Sequence, residues 1–382
     1  MYLSSLLSYY PLSLSVGING GEKVYRKGLM IAMSFLLLAG CWDERLYKNS
    51  SVVTLVGIEG YVGAYKGYYA YPTSMTQDTE IIEAEGLSPR EVRTNANLKV
   101  EQTLDLSELS TILISDHTAR ESIYELLDIY FRDPQNPISI KMALTDGDVK
   151  PFVDLTKDLT NSAGSYYQRF IESSEDNTYF PKVNLQEVGS MLFDQTIDIA
   201  LPYFQLSEDK KHVVAGGLGL FTGPSFTGTV LTPSQSLTML LLMNQKSKAA
   251  RMSYLWQKDG KVNPITVDVL KVKRKWTVNE ELRTIDMSYT IDVEVEEFPH
   301  DHLYKDEIFQ DVQQMIEEKM QAEFEEVLRI LQNQKSDTLG IGRYIRAYHP
   351  NMFKEEDWHT EFSSLLLKPK VDVKIIRTGV LR

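Results

Sequence analysis

The sequence predicts an α+β fold: two to three compact mixed lobes with largely antiparallel sheets and a long amphipathic helix in the C-terminal half. Three observations carry this expectation. The stretch "LRTIDMSYTIDVEVEEFP" alternates apolar and polar residues without a break. Between Lys305 and Lys335 the apolar residues recur at helical spacing instead. Strand-like and helix-like segments follow one another in blocks along 382 residues, which is long enough for more than one core.

From Leu29 to Gly40 the chain is almost wholly apolar, with Ser34 as the interruption. A spanning helix needs about 20 apolar residues, so this run is too short to cross a bilayer. It has the length of a signal-peptide core, and Lys23, Arg26 and Lys27 supply the positive flank before it. Leu38-Ala39-Gly40-Cys41 then reads as a lipobox, in which small residues suit a lipoprotein signal peptidase and the Cys41 thiol takes up diacylglyceryl. A buried helix ending by chance in Gly-Cys is the bland alternative. Charge, apolar core, small residues and cysteine all fall in the order that processing requires. Residues 1–40 are therefore expected to be a signal peptide, and removing them changes the formal net charge from −13 to −15. Gly20-Gly21-Glu22 can be encoded as a ribosome-binding site and Val24 as an alternative start codon, so translation is expected to start at Val24.

Beyond the anchor, 51–58 and 61–71 are rich in Val, Ile and Tyr with glycine punctuation, which reads as strands and turns. The polar stretch 75–100, with Pro89, is expected to be irregular. "TARESIYELLDIYFRDP" reads as a helix with Ile123, Leu126, Leu127 and Tyr130 on one face, stopped by Asp133-Pro134. Two further helices are expected over 156–173 and 184–201, with Phe170, Ile171, Val188 and Met191 in the core. "HVVAGGLGLF" changes the pattern to strand and turn, so a boundary at 208–212 divides a region 41–210 from a region 211–382. In the second region Ile285, Met287, Tyr289, Ile291, Val293 and Val295 face one way on a long strand that Pro299 ends. Ile308, Val312, Met315, Met320, Phe324, Val327 and Leu331 form the apolar stripe of the long helix. Its polar face is acidic and would be repelled by anionic lipid, so the helix is expected to pack on a sheet rather than a membrane. "VDVKIIRTGVL" reads as a closing strand.

Composition limits the function classes. No basic run exceeds Lys271-Val272-Lys273-Arg274-Lys275, and the net charge is strongly negative, which argues against nucleic acid as a partner. One cysteine permits neither an internal disulfide nor a multi-cysteine metal site. "GPSFTG" has one residue too many after Ser225 for a nucleophile elbow and reads as a β-turn. Gly217, Gly219 and Gly223 are not followed by a helical pattern, so they do not make a phosphate loop. His300-Asp301-His302 lacks a third metal ligand at a recognisable spacing. These readings point to no catalytic residue, no metal and no cofactor.

The start "CWDERLYKNSSVVTLVGIEG" resembles the opening of the C-subunit lipoproteins of spore nutrient-germinant receptors, the Ger(x)C family. The resemblance recurs in "ARESIYELLDIYFRDPQNPISIKMALTDGDVKPFV", in "VVAGGLGLFTGPSFTGTVLTPSQSLTMLLLMNQ", in "SDTLGIGRYIRAYHPNMFKEEDW" and in the closing strand. It covers residues 41–382. The segment 75–100 is shorter than the family's, and "TPSQSLTMLLLMNQ" lacks the acidic residues and glycine common there. The resemblance implies a non-enzymatic, lipid-anchored subunit on the outer face of the spore's inner membrane. It also implies a polytopic A subunit and a transporter-like B subunit as partners in sensing small nutrients. The alternative is a solute-binding lipoprotein of a transporter, for which two lobes of strands alternating with helices are expected.

Overall fold

An eight-stranded sheet in the order β10-β9-β8-β7-β6-β2-β3-β4 dominates the first part of the molecule. The structure, a computed structural model, describes residues 25, 50–73, 78–157, 162–258, 260–299, 303–353 and 358–378. Residues Ser50–Arg382 form one compact unit. The strands are β1 Ser50–Val52, β2 Leu55–Tyr61, β3 Ala64–Pro72, β4 Thr79–Gly86, β5 Thr103–Asp105, β6 Thr111–Ser115, β7 Lys141–Thr145, β8 Ala200–Leu206, β9 Val213–Thr222 and β10 Ser225–Leu231. The helices among them are α1 Pro89–Asn97, α2 Asp116–Ala119, α3 Ile123–Arg132, α4 Lys150–Asp154, α5 Ala163–Asp176 and α6 Leu185–Leu192. The short strands β1 and β5 pair in parallel by themselves.

The centre of this sheet is parallel. Strands β2, β6, β7 and β8 run the same way, and the hairpins β3–β4 and β9–β10 add antiparallel pairs on either side. Parallel neighbours need crossovers, and α2 to α6 supply them between β6, β7 and β8. One face of the sheet buries Val92 of α1, Leu126 and Leu127 of α3 and Val188 of α6. The other buries Phe152 and Val153 of α4 and Tyr167 and Ile171 of α5. Covered on both faces, β6 is buried at every position, which is why "TILIS" shows no alternation.

Three sequence expectations need correction. The stretch 75–100 holds strand β4 and helix α1, for Ser88 caps the helix through Glu91 N and Pro89 starts it. The single helix expected around Ile123 is two, α2 and α3, although α3 stops at Arg132 as expected. The pair expected over 156–173 and 184–201 is shifted and shortened. The first begins at Ala163, and the second ends at Leu192 because 200–206 joins the sheet as β8. Ile171 and Val188 are buried, with Phe170 and Met191 packed against the cores.

The 208–212 turn links β8 to β9, and Ser207 N donates to His212 O at 2.9 Å across it. After β10 comes α7, Pro233–Leu242, which opens with a Thr232–Gln235 capping box. Its residues from Ser236 to Leu242 are all buried. Its last carbonyl, Leu242 O, accepts from Tyr289 Oη at 3.1 Å and from Arg274 at 3.3 Å. This helix therefore pins the first sheet to the second.

The second sheet has the order β11-β12-β13-β14, with β11 Arg251–Lys258, β12 Lys261–Asn279, β13 Thr284–Glu297 and β14 Leu366–Arg377. The alternating residues of β13 expected to face inward are all buried, from Ile285 to Val295. Helix α8, Asp306–Asn333, lies on this inner face with Ile308, Val312, Met320, Phe324, Val327 and Leu331 buried. Phe324 meets Tyr289 edge to face at 5.0 Å. Helices α9, Ile341–Tyr348, and α10, Trp358–Ser364, lead into β14.

Candidate functional site

The segment "SDTLGIGRYIRAYHP" and Trp358-His359 build a buried polar junction. Gly340 adopts φ 70°, the left-handed conformation that lets the chain turn into α9. Asp337, fully buried, then sits beneath the start of that helix. Its carboxylate accepts from Ile341 N at 2.9 Å, from Gly342 N at 2.7 Å and from Trp358 Nε1 at 3.0 Å. Gly342 is required by the close approach, since a Cβ there would lie 2.7 Å from the Trp358 ring.

Asp198, just before β8, ties this junction to the first sheet. It accepts from Asp337 N at 2.7 Å and Gly223 N at 2.7 Å, and His359 Nε2 lies 3.0 Å away. Asp194 accepts from Thr196 and from Arg343 Nε at 2.7 Å. Burial pushes the Asp337 carboxyl up to about 7, against the pull of its backbone donors, and the neighbouring Asp198 adds to the rise. The bond to Asp198 raises His359 above its ordinary value. Burial works to raise Asp194, but the bonds from Thr196 and Arg343 together hold it below the usual range. Beside the junction lies a cavity of about 340 Å³ lined by Asp194, Asp198, Gly223, Trp358 and His359.

A cleft of about 800 Å³ opens at the carboxyl ends of β2 and β6. Ligands of parallel sheets commonly bind at this end of the strands. Two of its acids, Glu59 and Glu121, serve the fold. Glu59 accepts from Tyr68 Oη at 2.7 Å and Val149 N at 2.9 Å, and Glu121 accepts from Val62 N at 3.3 Å. Lys66 on its rim pairs with Glu83 at 2.6 Å.

Among the residues singled out from sequence, Cys41 and the lipobox residues Leu38, Ala39 and Gly40 lie outside the described residues. So do His300, Asp301 and His302. Ser225 stands at the β9–β10 turn, and its hydroxyl donates to Glu121 O, not to a base. Gly217 and Gly223 have positive φ: Gly217 lies where the β8–β9 pairing shifts register, and Gly223 lies in the turn between β9 and β10. Among the described residues no group of three His, Cys, Asp or Glu is placed to hold a metal. Asp194, Asp198, Asp337 and His359 were not singled out from sequence, though the paired glycines after Asp337 were a usable signal of close packing.

A model of the spore germination protein N-terminal domain matches residues 43–206, and one of the spore germination B3/GerAC-like C-terminal domain matches residues 216–379. The chain belongs to the GerAC-like family of spore germination proteins. Spore germination protein GerQC of Bacillus cereus is 20% identical over 363 residues, covering 93% of this chain and 99% of that protein. Spore germination protein KC of Bacillus subtilis (strain 168) is 20% identical over 392 residues, covering 92% and 95% respectively. The crystal structure of the GerBC protein shares the fold with a TM-score of 0.51 at 15% identity, covering 84% of this chain and 97% of that one. The family is not one known as enzymes. The junction at Asp337 thus falls in the C-terminal family region and binds it to Asp194 and Asp198 of the N-terminal one.

Proposed function

We propose that this chain is the C subunit of a nutrient germinant receptor. It is held by diacylglyceryl on Cys41 at the extracytoplasmic face of the spore's inner membrane and works beside polytopic A and transporter-like B subunits. The observation that carries the reading is the pair of family regions, which begins at residue 43, two residues after the lipobox cysteine. Regions 41–210 and 211–382 are the two parts of the mature chain in this reading. Two acyl chains give stable attachment where one gives only reversible binding. Among the described residues no helix is long and apolar enough to cross a membrane, so an anchor at Cys41 answers a physical need. The subunit acts by being positioned and by contact, with the chain at Asp337 and Trp358-His359 held to the first sheet through Asp198.

The parallel centre of the first sheet removes one argument against a solute-binding lipoprotein, since strands do alternate with helices there. The family match is what favours the receptor. A deletion strain separates the two. The receptor reading expects spores that fail to germinate with one nutrient while vegetative growth and uptake are intact. Loss of uptake with normal germination would replace it with the transporter reading.

A further inference from the structure

The short basic run that the sequence shows at 271–275 has a structural partner. Helix α8 covers one face of the second sheet, and the other face is open. On the open face β12 exposes Lys271, Lys273 and Lys275, and β14 exposes Lys368, Lys370 and Lys374. Period two puts each trio on one side of its strand. The register sets them on either side of β13: Lys275 and Lys370 flank Ser288, and Lys271 and Lys374 flank Asp292. Asp286, Asp292 and Asp372 are the acids among them, while Asp268, Glu294 and Glu296 lie farther along the face, away from the β12–β13 turn. Of the six lysines only Lys374 forms an ion pair among the described residues, with Asp372 at 3.7 Å. The end of this face nearest the β12–β13 turn, with Lys273, Lys275, Lys368 and Lys370 around Asp286, is therefore locally positive on a chain of formal net charge −13.

A second feature lies at the end of the same face. The β12–β13 turn meets the start of β14, where Leu366 N donates to Arg283 O at 3.1 Å. Leu282 is 70% exposed there and Leu366 52%. Glu280 in this turn is engaged by His349 at 2.8 Å, and Glu281 subtracts one charge. Bare leucines framed by lysines are the composition that sits in a lipid interface, with apolar groups among the headgroups and cations on the phosphates.

We propose that this end of the open sheet face docks on an anionic lipid surface, with Leu282 and Leu366 entering the headgroup layer. The proposal rests on the anchored reading above. From a lipid on Cys41 the nine residues to Ser50 reach at most about 30 Å, so the body stays beside the membrane and one face must meet it. An acidic body is repelled as a whole, which turns the lysine face toward the lipid. An acidic polypeptide is the other conceivable occupant. The leucines and the short tether favour lipid.

The test uses the full lipidated chain carrying Glu281→Cys labelled with nitrobenzoxadiazole and reconstituted into vesicles. The dye is expected to shift to the blue in phosphatidylglycerol-rich vesicles, not in pure phosphatidylcholine, and to lose the shift as salt rises. Lys273→Glu, Lys275→Glu and Lys370→Glu together should abolish it with circular dichroism unchanged. The docked-to-free ratio should fall more than about 100-fold, at roughly fivefold per lysine. Equal emission in both lipids, or a shift that needs added polyglutamate, overturns the proposal. Fatty-acid labelling reads the anchor separately. If Cys41 takes no lipid, the same dye is read on chain added from solution. A shift confined to phosphatidylglycerol then still supports docking, and its absence overturns it.

Discussion

Asp337 holds three N–H donors with no cation paired to it among the described residues, so its carboxylate is a structural acceptor whose loss strands all three. Asp337→Ala should cost about 3 kcal/mol or more, at about 1 kcal/mol or above for each buried donor left unpaired. Chemical denaturation reads this directly. Gly342→Ala drives a methyl into the Trp358 ring and should cost about 1–3 kcal/mol. The same cluster sets a pH dependence. The Asp337 carboxyl, pushed by burial from 3.8 to about 7, keeps a proton in the folded state that the unfolded chain has released. That part of the stability falls as pH rises from about 4 to about 7. His359, raised from 6.5 by Asp198, adds stability that is whole below 6.5 and lost as pH climbs through its higher folded value. Glu175 and Glu323, raised from 4.5 by burial, run the same way. The thermal midpoint is therefore expected to fall from pH 6 to pH 8, and His359→Gln should flatten the part above 6.5. A midpoint that rises across this range contradicts the assignment. Beyond the close packing that Gly340 and Gly342 signal, this was not legible in the sequence, because the setting of Asp337 depends on Asp198, 139 residues away.

Helix α8 shows how an element can protect another. The free edge of β14 offers the N–H groups of Val371, Val373 and Ile375, and α8 answers each with a side chain. Gln321 accepts at 2.9 Å, Glu317 at 3.0 Å and Gln313 at 3.3 Å. These acceptors stand four residues apart, so they form one stripe along the helix. An uncovered edge invites pairing with another chain. Replacing all three by alanine should leave a folded protein that self-associates, seen as rising light scattering with concentration. Scattering like that of the wild type would show that the stripe does not guard the edge. Sequence predicted α8 and β13 well, because each repeats one period over many turns or residues. It read Glu317 only as part of a solvated acidic face. It missed β4 and α1, where polar composition hid a strand and Pro89 was taken as a breaker when it starts a helix. The parallel centre was also out of reach. Strands of five residues such as β6 and β7, buried on both faces, carry no alternation to read.

At the scale of the molecule, two sheets are joined by the buried helix α7 and by the Asp194–Asp198–Asp337 junction, and the family regions meet inside that unit. The family and its fold were legible in ordered motifs spread along the chain. The junction that holds those motifs together was not. In the proposed function, placement at the membrane depends on Cys41, and residues 41–382 are what remains after processing. They carry a formal charge of −15, and nothing in that net charge draws them to anionic lipid. Cys41→Ala should abolish fatty-acid labelling and release the chain from stable attachment. The most direct measurement is the germination of spores whose only copy of this protein carries Cys41→Ala, with labelling checked on the same preparation. The account predicts unlabelled protein and spores that respond poorly to the cognate nutrient while wild-type spores are labelled and respond. Unlabelled protein with normal germination would contradict it, because the anchor would then be dispensable to the receptor.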